Sequence, residues 1–130
     1  MSDTLDASPF LSKGGEITAR YIRQVEGQGT FGNVRTKAMR TGDHMVLLEI
    51  EYPPEAGAPL HVHQHETICY VVSGKVRVTV GDDEFVMEAG DACTHPLGVP
   101  HGIRGIEHAV VLEVKSPAQK ISEFLHISDT

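Results

Sequence analysis

Apolar and polar residues alternate along this chain in short runs separated by turn residues. In "KVRVTVG", Val76, Val78 and Val80 alternate with Lys75, Arg77 and Thr79, the period-2 pattern of a strand with one buried face. "HMVLLEIEY", "TICYVVSG" and "HAVVLEVK" are stronger apolar strand candidates, and "TARYIRQV" and "NVRTKAMR" are shorter mixed ones. "PPEAGAP" reads as a rigid turn, because its prolines fix φ and cannot join a central ladder. "GDD" reads as a tight hairpin into "EFVMEAG", and "DACTHPLGVPHGI" as a short strand, a Pro/Gly turn and a new strand start. Only "PAQKISEFLHI" predicts a short C-terminal helix, with Ile121, Phe124 and Leu125 on one face and Pro117 near its start. Many short strands with regular turn signals predict an all-β sandwich or barrel.

Residues 1–18 carry few structural signals and are expected to form a flexible arm, leaving 19–130 as one domain. The formal charge of −7, with basic residues scattered, argues against a nucleic-acid backbone or an anionic membrane as partner. A small-molecule substrate fits better. No apolar run approaches the ~20 residues of a membrane span, and "MSDTLDASPFLSKGG" lacks the layout of a signal peptide, so a cytoplasmic location is expected. Cys69 and Cys93 do not make a disulfide framework and read as buried thiols.

The chemistry concentrates in "HVHQHETICYVVSG", where His61, His63 and His65 occupy alternate positions ahead of an apolar run. Residues two apart in a strand point the same way, so His61 and His63 face one interior. Neutral imidazole is the commonest protein ligand for divalent transition metals.

Two spaced patterns carry a family resemblance. His61, His63 and Gly74 fit G-x5-H-x-H-x3,4-E-x6-G, and Gly90, Pro96, Gly98 and His101 fit G-x5-P-x-G-x2-H-x3-N. Seven of ten motif positions match, with 15 residues, Lys75 to Ala89, between the motifs. The chain resembles a single-domain cupin over roughly residues 35–116, with core motifs at 55–105. The resemblance implies a double-stranded β-helix, or jelly-roll, barrel that brings His101 to His61 and His63. It also implies one divalent transition metal (Fe, Mn, Ni, Zn or Cu) on these three side chains. Cupins of this size usually pair through N-terminal strands, so residues 19–40 suggest a homodimer.

Three motif positions depart. Glu55 replaces the first glycine, Gly105 the final asparagine, and Thr67 the glutamate that would be a fourth ligand. Regular alternation turns Thr67, Cys69 and Val71 inward and Glu66, Ile68 and Tyr70 outward, so Glu66 reaches a metal only if the "HQHE" turn bulges. His65 is expected at the surface or behind the ligands, and His95 at the pocket mouth. Three neutral histidines leave the metal its full 2+ charge, a stronger Lewis acid with an extra open position. Among cupins this resembles ferrous dioxygenases acting on diketones, gentisate-like acids or thiols. The segment around Glu113, Lys115, Pro117 and Gln119 is also similar to pectin-degradation cupins, which implies uronate ring opening as an alternative. A non-catalytic module for a small ligand is the third reading. Polar residues on apolar strands supply the acid–base candidates: Glu113, Lys115 and Arg104, with Glu49 and Glu51 beside them.

Overall fold

The structure is a computed structural model and describes residues 7–130. Nine strands follow one another: β1 (Arg20–Val25), β2 (Gln28–Thr41), β3 (Val46–Tyr52), β4 (Gly57–His61), β5 (Glu66–Val80), β6 (Asp83–Glu88), β7 (Ala92–His95), β8 (His101–Ser116) and β9 (Leu125–Ser128). Neighbouring strands run antiparallel along the path β6-β5-β8-β3-β2-β1-β9, with β4 on β2 and β8 and β7 on β5.

The two longest strands explain the barrel. β5 and β8 pair from Glu66↔Ser116 to Val80↔His101, with register shifts between Val71 and Val76. Gly74 sits in that interval at φ +82°, and a Cβ there would lie 2.0 Å from the carbonyl oxygen of His108. Only glycine lets the two backbones approach so closely while both strands bend. On the far side of β8, the first half pairs with β4 and the second with β3. The bend thus folds one ladder into two facing layers, the jelly-roll barrel. Val34, Leu48, Ile50, Val71, Val76, Val78 and Val111 fill the space between them.

The alternation read from sequence holds on the strands that matter. β3 is buried at every second residue, and Val76 and Val78 point inward as expected. "TICYVVSG" and "KVRVTVG" are one continuous strand, since Ser73–Gly74 marks a bend and not an end. The expected C-terminal helix does not form. A 3₁₀ turn (Ile121–Glu123) leads into β9, which pairs with β1 through Val25↔Leu125 and Ile22↔Ile127. A helix of about ten residues is marginal alone. Phe124 and Leu125 gain more by closing the end of the barrel, where both are buried. Within the chain β1 is therefore covered on both sides, by β2 and β9.

Residues 1–6 of the expected arm lie outside the described residues. The rest of the arm is tied to β2, where Lys37 Nζ donates to the carbonyl of Gly14 at 2.9 Å and Arg40 donates to Ser12 Oγ at 3.1 Å. Glu55 keeps the left-handed backbone of the glycine it replaces, with φ +70°. At Gly105, a Cβ would meet the carbonyl oxygen of Pro53 at 2.2 Å, so a side chain there would collide with the incoming turn. No helix among the described residues is long and apolar enough to cross a membrane.

Candidate metal centre

His61 ends β4, His63 lies just beyond it, and His101 opens β8, where it is the register partner of His61. All three are buried, and their ligating nitrogens lie within 4.8 Å of one another. Ring centroids are 4.5 Å apart for His61–His63, 4.3 Å for His61–His101 and 5.1 Å for His63–His101.

Each ring is oriented from behind. His61 Nδ1 donates to the carbonyl of Pro59 at 2.7 Å and His101 Nδ1 to that of Val99 at 3.1 Å. A carbonyl can only accept, so the proton sits on Nδ1 and the Nε2 lone pair is free. His63 Nδ1 bonds Glu26 Oε1 at 2.8 Å, the carboxylate–imidazole arrangement found behind metal-bound histidines. Burial lowers the pKa of all three, and the Lys115 ammonium lowers them further; His101 falls to about 3. They are neutral at neutral pH, the form a metal requires. The residues present fit a divalent ion.

Thr67 lies where a fourth, acidic ligand was expected. It is fully buried, and its hydroxyl accepts from Lys115 Nζ at 3.1 Å. Lys115 also donates to Glu113 Oε1 at 3.1 Å, and Tyr52 donates to Glu113 Oε2 at 2.9 Å. Burial raises the Glu113 pKa, but Lys115, His95 and the Tyr52 hydrogen bond more than offset it, down to about 2. A paired ammonium and carboxylate thus stand beside the histidines in place of one ligating carboxylate. Glu113, Lys115 and Tyr52 line a cavity with His61, His63, His95 and His101. The space it encloses is about 30 Å³, room for about one water. A larger groove of about 590 Å³ lies near Thr36, Ile121 and Ile127, but no set of converging ligands among the described residues lines it.

The other expectations divide. Glu66 is exposed and pairs with Ser116, and the turn does not bulge to bring it to the histidines. Arg104 is half-exposed outside the cavity, its guanidinium 3.7 Å from the centre of the Phe31 ring and 3.6 Å from Glu55. It is not among the residues that line the cavity. Glu49 and Glu51 are half-buried and do not line the cavity. His65 lies behind the candidate ligands, stacked on His63 at 4.2 Å with Nδ1 bonded to Gln119 Oε1. Its Nε2 is buried without a partner. His95 is deeper than expected, lining the cavity and stacked on His101 at 4.2 Å.

Three contributors went unread in the sequence: Glu26, Tyr52 and Phe124. Glu26 sits at φ +50° in the β1–β2 turn, and its Glu-Gly dipeptide was the one available signal. Phe124 packs edge-on against His63 and His65, with ring centroids at 5.6 and 4.8 Å.

The sequence matches the cupin domain family over residues 48–115, the stretch that holds the three histidines, Thr67, Glu113 and Lys115. This chain belongs to the cupin family. Among characterised relatives, the cupin is 32% identical over 104 residues to quercetin 2,3-dioxygenase of Bacillus subtilis, covering 77% of this chain and 28% of that protein. It is 33% identical over 107 residues to H2HPP isomerase of the same species, covering 82% and 42%. It therefore spans less than half the length of either relative. Solved structures share the fold. They include an RmlC-like cupin from Shewanella frigidimarina (TM-score 0.71, 24% identity, 87% of this chain and 95% of that one). KdgF from a Halomonas species is another (TM-score 0.70, 22% identity, 84% and 95%).

Proposed function

We propose that this cupin is a metal-dependent enzyme acting on a small oxygenated, acidic or sugar-derived substrate, through a dioxygenase-type centre on His61, His63 and His101. The observation that carries the reading is the donor set: three buried imidazoles, each held through Nδ1 by an oxygen, with no carboxylate among them. When bound, a divalent ion would supply a Lewis acid that polarises the oxygens of a chelating substrate. The chain's own groups do the rest. Glu113, held ionised by Lys115 and Tyr52, anchors the Lys115 ammonium at the cavity and accepts a hydrogen bond from a substrate hydroxyl. Lys115 offsets negative charge as it develops on the substrate. The apolar wall of Val25, Leu48, Ile50, Ile103 and Leu125 excludes water.

The cavity argues for a small substrate. Drug-sized ligands occupy roughly 300–1,000 Å³, so a flavonol enters only if the lining of this space of about 30 Å³ moves apart. Small diketones and keto acids require far less movement. The same Glu113–Tyr52–Lys115 set also suits proton transfer without dioxygen, and one relative is an isomerase. This is the second reading, and uronate ring opening belongs with it.

Metal content of untagged protein, beside a His61→Ala/His101→Ala variant, tests the centre. Oxygen uptake with small diketones and keto acids then separates the readings. Near-stoichiometric metal that vanishes in the variant, with oxygen consumed, supports the dioxygenase. Turnover without oxygen moves the assignment to the isomerase. An empty chain that cannot be loaded, yet binds these compounds without turnover, would overturn both in favour of a binding module.

A further inference from the structure

The wall behind His101 holds a second group of ligand-type side chains. On β7, Cys93 and His95 are two residues apart and so share a face. Across the ladder, Cys69 is the register partner of Cys93, and Thr67 that of His95. Antiparallel pairing thus brings two thiols and one imidazole together on adjacent strands. Their ligating atoms lie within 4.8 Å of one another, with Cys69 and His95 buried and Cys93 partly buried.

We propose that Cys69, Cys93 and His95 form a second metal site, selective for a thiophilic divalent ion of the zinc class and separate from the three-histidine centre. Distances suit it. Zn–S and Zn–N bonds of about 2.3 and 2.0 Å, opened at a tetrahedral angle, put sulfur and nitrogen about 3.5 Å apart. Cys69 Sγ lies 3.8 Å from His95 Nε2 and 3.9 Å from Nδ1, so this pair closes on an ion by a few tenths of an ångström, with Cys93 Sγ within 4.8 Å of both. His95 is also free to serve. Among the described residues its ring nitrogens have only thiols as hydrogen-bond partners, whereas His61, His63 and His101 each have an oxygen behind Nδ1.

Charge favours a divalent ion. Two thiolates and a neutral imidazole neutralise a 2+ ion, which makes its burial in the wall affordable. A monovalent soft ion would leave a net negative charge there. Both thiols must lose their protons to bind the ion, so affinity at this site should rise with pH. The two sites also differ in kind: imidazoles alone in one, sulfur in the other, with His95 and His101 stacked between them. This proposal does not depend on the activity proposed above.

The test is titration of the full chain with Co2+ and then Zn2+, following near-ultraviolet thiolate-to-cobalt charge transfer and the rate of thiol alkylation. Three imidazoles cannot give the charge-transfer band. The expected result is that band at one ion per chain, in wild type and in His61→Ala/His101→Ala alike, with Zn2+ displacing cobalt and slowing alkylation. Cys69→Ser/Cys93→Ser should abolish the band while keeping any three-histidine ion. Each single Cys→Ser should weaken Zn2+ binding by more than about 100-fold, beyond what loss of a mere supporting partner costs. A wild-type chain that shows no band and unchanged alkylation at saturating Co2+ overturns the proposal. Failure of the three-histidine centre would look different: a single ion per chain, lost with the thiols.

Discussion

Replacing Glu113 by glutamine removes the carboxylate partner of a buried ammonium. Lys115 and Glu113 lie 3.1 Å apart with side chains 5% and 7% exposed, so bulk water does not reach the charge left behind, and the adjoining cavity has room for only about one molecule. Linkage bounds the penalty. An unpaired buried lysine can shed its proton at pH 7 for about 4.6 kcal/mol, since the free ammonium pKa of about 10.4 lies about 3.4 units higher. An unpaired buried glutamate can take up a proton for about 3.7 kcal/mol, from about 4.3 to 7. Glu113→Gln should therefore cost about 3–4.6 kcal/mol, in the range for breaking a buried pair from one side. Lys115→Met should cost less, because a protonated Glu113 keeps Tyr52 as a partner. The double variant removes both charges and should recover most of the loss, giving a coupling of about 2–4 kcal/mol. At about 0.27 kcal/mol per degree for 130 residues, Glu113→Gln lowers Tm by roughly 11–17 °C. Urea unfolding of wild type, both singles and the double at pH 7 measures the cycle. Singles that each lose under about 1 kcal/mol, with an additive double, would refute the argument that this pair is buried and interdependent.

Glu55→Gly should stabilise the protein by about 1 kcal/mol in thermal unfolding, because it relieves a left-handed backbone and gives up only an exposed contact to Arg104. Glu26→Gln should weaken metal binding at the three-histidine centre about 10–100-fold in competition with a chelator, with secondary structure unchanged by circular dichroism. The metal-free protein should lose stability steadily as pH falls below about 6.5. Burial lowers the folded pKa of His61, His63, His65 and His101, so the unfolded chain binds more protons there, at up to about 1.4 kcal/mol per pH unit for each histidine. Glu113 adds a later loss: with its folded pKa lowered to about 2, its contribution is full above about pH 4.3 and is lost as pH falls from there through about 2. Urea midpoints between about pH 2 and 8 in the presence of a chelator check this, and a flat profile would contradict it.

Most of the barrel was legible because strand alternation is local physics. A half-buried strand must place apolar side chains at every second residue, and β3 and the second half of β5 do so whatever they pack against. The two-residue spacing also put His61 and His63 on one side, although His63 lies just beyond the end of β4, and motif spacing nominated His101. The inward phase of Thr67 and Cys69 followed from counting. The continuity of β5 through Gly74 did not, because a glycine that allows close backbone approach looks the same in sequence as one that ends a strand. The C-terminal segment was misread for a related reason. Its apolar spacing suits either a helix or a cover for the barrel end, and only the open edge of β1 decides between them.

What the sequence determined by itself is therefore most of the strands, their buried faces and the three imidazoles. Only the tertiary structure decided what surrounds those imidazoles: Glu26 behind His63, His65 and Phe124 against it, Lys115 and Glu113 in place of a fourth ligand, and Cys69 and Cys93 with His95 behind His101. These contacts join residues up to 61 positions apart, as for Tyr52 and Glu113. They depend on strand register and on where a ladder bends, which pair distant segments and leave no local periodicity to read.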